Sequence, residues 1–180
     1  MRYAFIAGDT GDWRILSSKA VRGPALGAAQ AVELMPANQC DASQPAAWAL
    51  HGVVSNLRYA TRDEVTALQA VQEKLGRPAA RRAALIPIKK TAAWWALAQD
   101  ERRAIFETDS RHTAIGLEYL PAIARQLFHA RDIGEPFDFL TWFEYAPEHA
   151  QQFEDLVARL RSSREWNFVA REVDIRLERV

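Results

Sequence analysis

Hydrophobic positions in the second half of the chain recur with two different periods. Alternation of apolar and polar residues predicts four strands there, because successive side chains on a strand point to opposite faces. The four strands are Ala83–Lys89, Ile123–Arg131, Phe137–Tyr145 and a last one that carries Val169, Val173, Ile175 and Leu177. Helical segments fill the stretch from Thr91 to Leu120 and stop at Pro121, and a further helix opens at Pro147. The predicted order is β-α-β-β-α-β, the split arrangement of a ferredoxin-like unit.

Two details of this half bear on how its sheet is arranged and covered. Pro87 lies inside the first predicted strand, and since proline has no N–H for a ladder, we expect that strand at a sheet edge or a bulge. The helix that opens at Pro147 has one apolar side, formed by Phe153, Leu156, Val157 and Leu160. One layer of helices on one antiparallel sheet leaves an interface between the two layers, and we expect a ligand to bind there.

The first half of the chain has a weaker pattern. Strands are predicted at Tyr3–Ala7, Trp13–Lys19 and Leu50–Tyr59. Residues 23–45, rich in Ala, Gly, Pro and Ser, have no sustained period and predict a loop or a short irregular helix.

A capping box, Thr61-Arg-Asp-Glu64, begins a helix that we expect Gly76 to end. The apolar stripe of this helix is Val65, Leu68, Val71 and Leu75. We interpret the first half as the same ferredoxin-like unit with its first helix reduced. The predicted fold class is therefore α+β, of the dimeric α/β-barrel type. It has two ferredoxin-like halves, residues 1–78 and 79–180, with antiparallel sheets and helices on one face.

Charge and composition narrow the class of partner. The chain has 180 residues, with 23 Lys and Arg against 23 Asp and Glu. No net positive field therefore favours a nucleic acid, and no basic tract favours an anionic membrane. The sequence has no apolar run that suits a membrane span or a signal peptide, and its lone Cys40 fits a reducing compartment. We expect a cytoplasmic protein that binds a small molecule.

A histidine and an arginine are the candidates for chemistry. His112 follows a polar run at a predicted helix start, and its imidazole is either a metal ligand or a partly buried hydrogen-bonding group. Arg125 shares a strand face with Ile123 and Leu127, so its charge points toward an apolar side. Such an arginine is either paired across a core or placed to hold a small anion.

Seven ordered strings from the second half connect these candidates. They are Ile86-Pro-Ile-Lys-Lys90, Trp94-Trp95, Asp100-Glu-Arg-Arg103, Arg111-His112-Thr113, Tyr119-Leu-Pro-Ala-Ile-Ala-Arg125, Gly134-Glu-Pro-Phe-Asp-Phe-Leu-Thr-Trp-Phe-Glu-Tyr-Ala-Pro147 and Glu165-Trp-Asn-Phe-Val-Ala-Arg-Glu-Val-Asp-Ile-Arg-Leu177. Together they resemble the short-chain branch of the chlorite dismutases, within a wider group that includes the coprohaem decarboxylases. The resemblance covers most of the chain from about Gly52 onward.

This resemblance implies a haem b cofactor and a set of residues around it. It identifies His112 with the iron ligand, Glu165 with the carboxylate that accepts the other imidazole N–H, and Lys90 with the lysine that completes that network. It identifies Arg125 with the arginine on the distal side of the haem and puts Gln72 near that arginine. For Lys90, Glu165 and Gln72, the residues alone predict only exposed polar side chains.

The tandem Trp94-Trp95 has two expected places. Because successive residues on a helix are about 100° apart, the two indoles cannot share one face. One is expected to pack on the porphyrin as part of the cofactor site. The other is expected to pack on the sheet or on a subunit interface.

The activity that the resemblance implies is conversion of chlorite to chloride and dioxygen. Oxygen transfer to iron would be followed by O–O bond formation from hypochlorite that Arg125 retains. The coprohaem decarboxylases generally lack this arginine, which favours the chlorite reaction. A haem peroxidase or coprohaem decarboxylase-like enzyme of the same fold is the alternative, and so is a non-catalytic haem-binding module. The shortened N-terminal half implies a homodimer, where long-chain members form larger rings.

Overall fold

The described part of the chain forms a closed barrel of eight antiparallel strands. A computed structural model describes residues 1–40, 45–54 and 61–180. The first four strands are β1 (Arg2–Gly8), β2 (Trp13–Arg22), β3 (Ala31–Pro36) and β4 (Trp48–Val54). The last four strands are β5 (Arg82–Lys90), β6 (Ile123–His129), β7 (Phe139–Tyr145) and β8 (Val169–Arg179). The predicted strands of the second half are therefore confirmed, with small shifts at their ends.

The strands follow each other around the barrel in the order β1-β3-β2-β8-β5-β7-β6-β4. Within each half, the fourth strand lies beside the first, followed by the third and then the second. The two halves meet at two seams, where β2 pairs with β8 and β4 pairs with β6. The antiparallel sheets that the pattern predicted thus join into one continuous barrel.

The α-helices of the described residues lie mainly in the second half. They are α1 (Arg62–Val71), α2 (Ala92–Ala96), α3 (Gln99–Arg103), α4 (His112–Glu118) and α5 (Ala150–Arg161). A π-helical turn, Ala104–Asp109, joins α3 to α4. β1 and β2 are joined by only a short turn, whereas the second half inserts three helices between its first two strands. No helix among the described residues is long and apolar enough to cross a membrane.

Two apolar cores lie on opposite faces of the sheet. The inner core takes side chains from all eight strands, and in it the rings of Trp13 and Trp142 meet edge to face, with centroids 5.4 Å apart. The outer core lies between β5–β7 and α5. The buried residues of α5 are the four predicted ones, Phe153, Leu156, Val157 and Leu160. Because side chains alternate along a strand, β5 contributes to both cores and is buried over most of its length.

Two predictions for the first half are wrong. Residues 23–45 contain β3, which pairs with β1 from Tyr3 opposite Pro36 to Gly8 opposite Ala31. Helix α1 has the predicted capping box but ends at Val71, before Gly76, and Leu68 is its buried residue. The backbone leaves the helix at Gln72, whose side chain bonds a neighbouring strand instead. The end of the predicted strand Leu50–Tyr59 lies outside the described residues beyond Val54.

Pro87 lies in an inner strand, so the prediction of a sheet edge is wrong. β5 pairs with β7 on one side and with β8 on the other. Pro87 is opposite Leu140 of β7, whereas the ladder with β8 has no pair at Ile86 or Pro87. A bulge in the β8 ladder follows between Lys89 and Lys90. The sheet thus accommodates the missing N–H by a local gap in one of its two ladders.

Gly52→Ala is expected to destabilise the barrel by about 1–3 kcal/mol. A Cβ here would lie 2.5 Å from the Phe128 Cβ and 3.4 Å from the Leu140 Cδ1, in the inner core. Urea denaturation of the variant and the parent measures the difference in free energy of unfolding. Gly27→Ala is the control, because its Cβ would meet no atom nearer than 3.5 Å. Equal stability of Gly52→Ala and the parent would contradict the close packing at this seam.

Candidate functional site

A cavity lies between the outer face of the sheet and the helices that cover it. Its empty volume is about 1220 Å³, including the space open to solvent at its mouth. Alternate residues of β5, β6 and β7 form one wall, and residues of α4 and α5 lie across from them. Most of the lining is apolar with a few polar groups, as is usual for sites that bind cofactors and small molecules. The cavity occupies the sheet–helix interface at which the sequence predicted a ligand.

His112 is the first residue of α4 and lines this cavity. Its ring stacks on Phe106 of the π-helical turn, with centroids 4.3 Å apart. Its Nδ1 lies 2.7 Å from Oε2 of Glu165. Because a carboxylate can only accept, Nδ1 carries the proton and Nε2 keeps its lone pair. No described residue bonds Nε2, so this nitrogen can act as a metal ligand.

Lys90 completes a buried chain of charged groups behind the imidazole. Its Nζ lies 2.6 Å from Oε1 of Glu165, and the two side chains are 3% and 5% exposed. The same Nζ lies over the rings of Trp94 and Trp166, 4.6 and 5.5 Å from their centres. Three residues predicted from separate strings of the sequence thus lie in one connected network.

Glu165 is a buried carboxylate that remains ionised. Burial alone would raise its pKa, but the charge of Lys90 and the hydrogen bonds that His112 and Lys90 donate outweigh burial and lower the pKa below its ordinary value. An ionised oxygen beside Nδ1 makes the imidazole more electron-rich and fixes its orientation. The arrangement therefore favours a strongly donating Nε2.

Arg125 lies on β6, and its side chain lines the same cavity. No carboxylate or other acceptor among the described residues pairs with its guanidinium. Burial lowers the pKa of Arg125, but an arginine remains charged at physiological pH. Gln72 lies beside it, with its amide donating to the backbone carbonyl of Arg125 at 2.7 Å. Gln72 therefore holds the strand and does not line the cavity.

The two tryptophans are on different sides of α2. Trp94 is 1% exposed and lines the cavity. Trp95 lies outside the cavity, where its Nε1 donates to Asp138 at 3.1 Å and its ring stacks on Phe139. Thr91 caps α2 by accepting the Trp94 N–H. The expected division of roles between the two therefore has Trp94 on the cavity side.

His129 and Glu172 also line the cavity, although the sequence predicted His129 only as a structural or solvated side chain and gave no role to Glu172. His129 lies on β6 four residues after Arg125, so the strand period that turned Arg125 inward could have identified it. Glu172 is 1% exposed and accepts from Trp166 Nε1 at 2.8 Å and from Arg161 Nε at 2.8 Å. A buried glutamate on a charged strand has no comparable sequence pattern.

Comparisons with known proteins show which family this chain resembles. The family model described as chlorite dismutase matches residues 29–179. A chlorite dismutase from Ideonella dechloratans is 33% identical over 97 residues, which are 53% of this chain and 33% of that protein. The match thus spans about a third of the length of this relative.

Solved structures extend the similarity to the whole chain. A crystal structure of dimeric chlorite dismutase from Nitrobacter winogradskyi is 60% identical, with 99% of each chain covered and a TM-score of 0.92. A mutant chlorite dismutase from Candidatus Nitrospira defluvii is 31% identical, with 76% of this chain and 56% of that chain covered and a TM-score of 0.62.

The fold is a closed antiparallel barrel covered by helices, and its cavity contains an imidazole backed by a buried carboxylate. These features are typical of an α/β-barrel protein that binds a ligand beside its sheet. Within that class the matches are specific. The chain belongs to the chlorite dismutase family. The resemblance inferred from its sequence strings is confirmed.

Asp174→Asn is expected to lower the free energy of unfolding at neutral pH by about 1.5–3 kcal/mol. Burial alone would raise the pKa of Asp174, but Arg176 and Arg161, whose nitrogens lie 2.5 and 2.7 Å from its oxygens, lower it below the ordinary 3.8. A carboxyl whose folded pKa is depressed stabilises fully above its unfolded pKa and loses this contribution as the pH falls through the folded pKa.

The stability difference between the parent and Asp174→Asn should therefore narrow as the pH falls from about 5 toward 2. Urea denaturation of both proteins over this range measures it. Parallel curves would contradict a stabilising charge at Asp174.

Proposed function

We propose that this protein is a haem b enzyme that converts chlorite to chloride and dioxygen. The observation that carries the proposal is the presence, in one cavity, of an imidazole backed by a buried carboxylate and an arginine that has no partner among the described residues. Membership of the chlorite dismutase family supports it, as does the 60% identity to the Nitrobacter winogradskyi protein.

The residues of the cavity fit a haem. His112 would ligate the iron through Nε2, while Glu165 and Lys90 would keep the imidazole oriented and electron-rich. Trp94 and the apolar residues of the cavity wall would pack on the macrocycle. Trp95 would brace the cavity from outside through Asp138, and Gln72 would hold the strand that carries the distal arginine.

Bound haem would supply an iron that can take one oxygen atom from chlorite and return it to the hypochlorite left behind, so that chlorite becomes chloride and dioxygen overall. Arg125 would hold that anion near the place where it forms, so that the O–O bond can form before the anion escapes. The charge of Lys90 is balanced by Glu165, whereas no carboxylate of the described residues pairs with Arg125. The apolar lining would limit the water around the guanidinium and so strengthen its attraction for an anion.

The two halves, residues 1–78 and 79–180, are proposed to be ferredoxin-like units, with the first reduced by the loss of a helix. Their shared strand order supports this division, as does the short turn that joins β1 to β2. The haem would then be bound by the second unit. Among the described residues, those that line the cavity belong to that half, from Ile86 to Glu172, with the exception of Leu68.

His112→Ala is expected to abolish axial ligation of added haem while the fold is retained, because its Nε2 is the proposed ligand and its ring is only partly buried. The Soret spectrum of the haem-loaded protein measures ligation, and circular dichroism measures the fold. His149→Ala is the control, since His149 lies outside the cavity. An unchanged Soret spectrum in His112→Ala would exclude this residue as the ligand.

Arg125→Ala is expected to leak hypochlorite during turnover with chlorite. A partly desolvated charge pair contributes a few kcal/mol. Its loss should therefore change the ratio of retained to escaping hypochlorite roughly ten- to a thousandfold. The parent should release dioxygen from chlorite, measured with an oxygen electrode. The variant should bleach its haem after fewer turnovers, and added methionine, which scavenges hypochlorite, should protect it.

Arg125→Lys is the matched variant, because it keeps the charge and loses the planar guanidinium, and an intermediate number of turnovers is expected. Equal turnovers in parent and Arg125→Ala, with no added protection by methionine, would return Arg125 to a structural role. A parent protein that binds haem but releases no dioxygen from chlorite would contradict the proposed reaction.

We also propose that the protein is a homodimer, because the relative that it matches over 99% of both chains is described as dimeric. Closed two-fold pairs are also the commonest assembly of proteins in solution. Light scattering coupled to size exclusion should give twice the chain mass of 20.3 kDa. A monomer or a larger ring would contradict the dimer.

A further inference from the structure

We infer that Ser110 and Glu107 are positioning residues that set the hydrogen bond between the His112 imidazole and the Glu165 carboxylate. We refer to Ser110 and Glu107 together as the clamp. The inference rests on the proposed function, because it assigns the clamp to the site of the proposed iron ligand. Glu107 belongs to the π-helical turn before α4, and Ser110 is the residue that ends this turn. Such turns are rare and are often found at functional sites.

Ser110 holds the carboxylate end of this hydrogen bond. Its Oγ accepts the backbone N–H of Glu165 at 2.9 Å, and the residue is 4% exposed. Glu165 lies in a short 3-10 turn, Arg164–Phe168, which has no side-chain cap of its own. Because a buried N–H without an acceptor is costly, the turn is held where Ser110 places it.

Glu107 holds the imidazole end. Its Oε2 accepts the N–H of Thr113 at 2.8 Å, and its Oε1 accepts that of Ala114 at 3.4 Å. These groups lie in the first turn of α4, where the N–H groups have no partner within the helix. Just before His112, Arg111 has a φ of 51°, in the left-handed region that residues other than glycine rarely adopt. Glu107 thus braces a sharp turn of the chain at the proposed ligand.

The clamp reaches both ends of a hydrogen bond that no local geometry sets. His112 and Glu165 are 53 positions apart in the chain, yet Nδ1 and Oε2 are 2.7 Å apart. A short bond to an ionised carboxylate makes an imidazole electron-rich, and a longer one would weaken that effect. Ser110 and Glu107 do not line the cavity, so they would act on bound haem only through His112 and Glu165.

A surface ion pair joins the same two segments and offers a matched control. Arg164 NH1 lies 2.6 Å from Asp109 Oδ2, with the two side chains 61% and 33% exposed. Ion pairs this exposed contribute little to the position of a segment. Asp109→Asn therefore changes the residue next to Ser110 without touching the clamp.

The test is the ferric/ferrous midpoint potential of the haem-loaded protein, measured by spectroelectrochemical titration. Glu165→Gln is the reference, and it should raise the potential because the imidazole loses an ionised partner. Ser110→Ala should raise it in the same direction by a smaller amount. Ser110→Thr, which keeps the hydroxyl, should return it to the parent value, and Asp109→Asn should leave it unchanged.

A double variant separates positioning from general loosening of the protein. Added to Glu165→Gln, Ser110→Ala should give no further shift, since the clamp acts through the carboxylate. If Ser110→Ala does not fold, Glu107→Gln replaces it in both backgrounds with the same expectation.

The outcomes are distinct for the clamp and for the haem site. A parent-like potential in Ser110→Ala and Glu107→Gln, while Glu165→Gln shifts, overturns the clamp alone. A shift that persists in the Glu165→Gln background overturns it as well. If Glu165→Gln itself leaves the potential unchanged, Glu165 does not tune the imidazole and the clamp fails with it, whereas the Soret spectrum of His112→Ala tests the iron ligand separately.

Discussion

One buried carboxylate, that of Glu165, joins three separate parts of the chain. Its two oxygens bond Lys90 at the end of β5 and His112 at the start of α4, and its backbone N–H is held by Ser110. An ionised group with 5% of its side chain exposed is stable only where its partners replace the lost hydration. Loss of Lys90 would leave the carboxylate charge unpaired in an apolar wall, and loss of His112 would leave one carboxylate oxygen without its donor. The imidazole, the carboxylate and the lysine therefore form one unit that holds this wall of the cavity.

The second half of the fold could be predicted because its apolar residues recur at the periods of strands and helices. Helix α5 shows this directly, since its buried residues are those of the apolar stripe. Strand β3 could not be predicted, because its six residues have no hydrophobic pattern of their own and form a strand by pairing with β1. Pro87 revealed a missing N–H but not which neighbouring strand would lack the bond, so its inner position followed only from the barrel.

The site was predictable only in part, and mostly through family resemblance. The residues alone predict exposed charges at Lys90 and Glu165, whereas the fold brings Lys90 Nζ to 2.6 Å from Glu165 Oε1. Which indole faces the cavity could not be predicted, because a five-residue helix such as α2 is too short to show a periodic pattern. His129 shares the strand face of Arg125, and strand alternation alone would have indicated it. Contacts between residues far apart in the chain, such as those of Glu165 with Lys90 and His112, cannot be derived from such a pattern and are seen in the structure.

The central claim is that Glu165 sets the electronic character of an iron-bound His112. Resonance Raman spectroscopy of the ferrous haem-loaded protein tests it most directly, because the iron–imidazole stretching band reports the strength of that bond. We expect a clear band in the parent and a shift of the band to lower frequency in Glu165→Gln. A parent without the band, or the same frequency in both proteins, would contradict it.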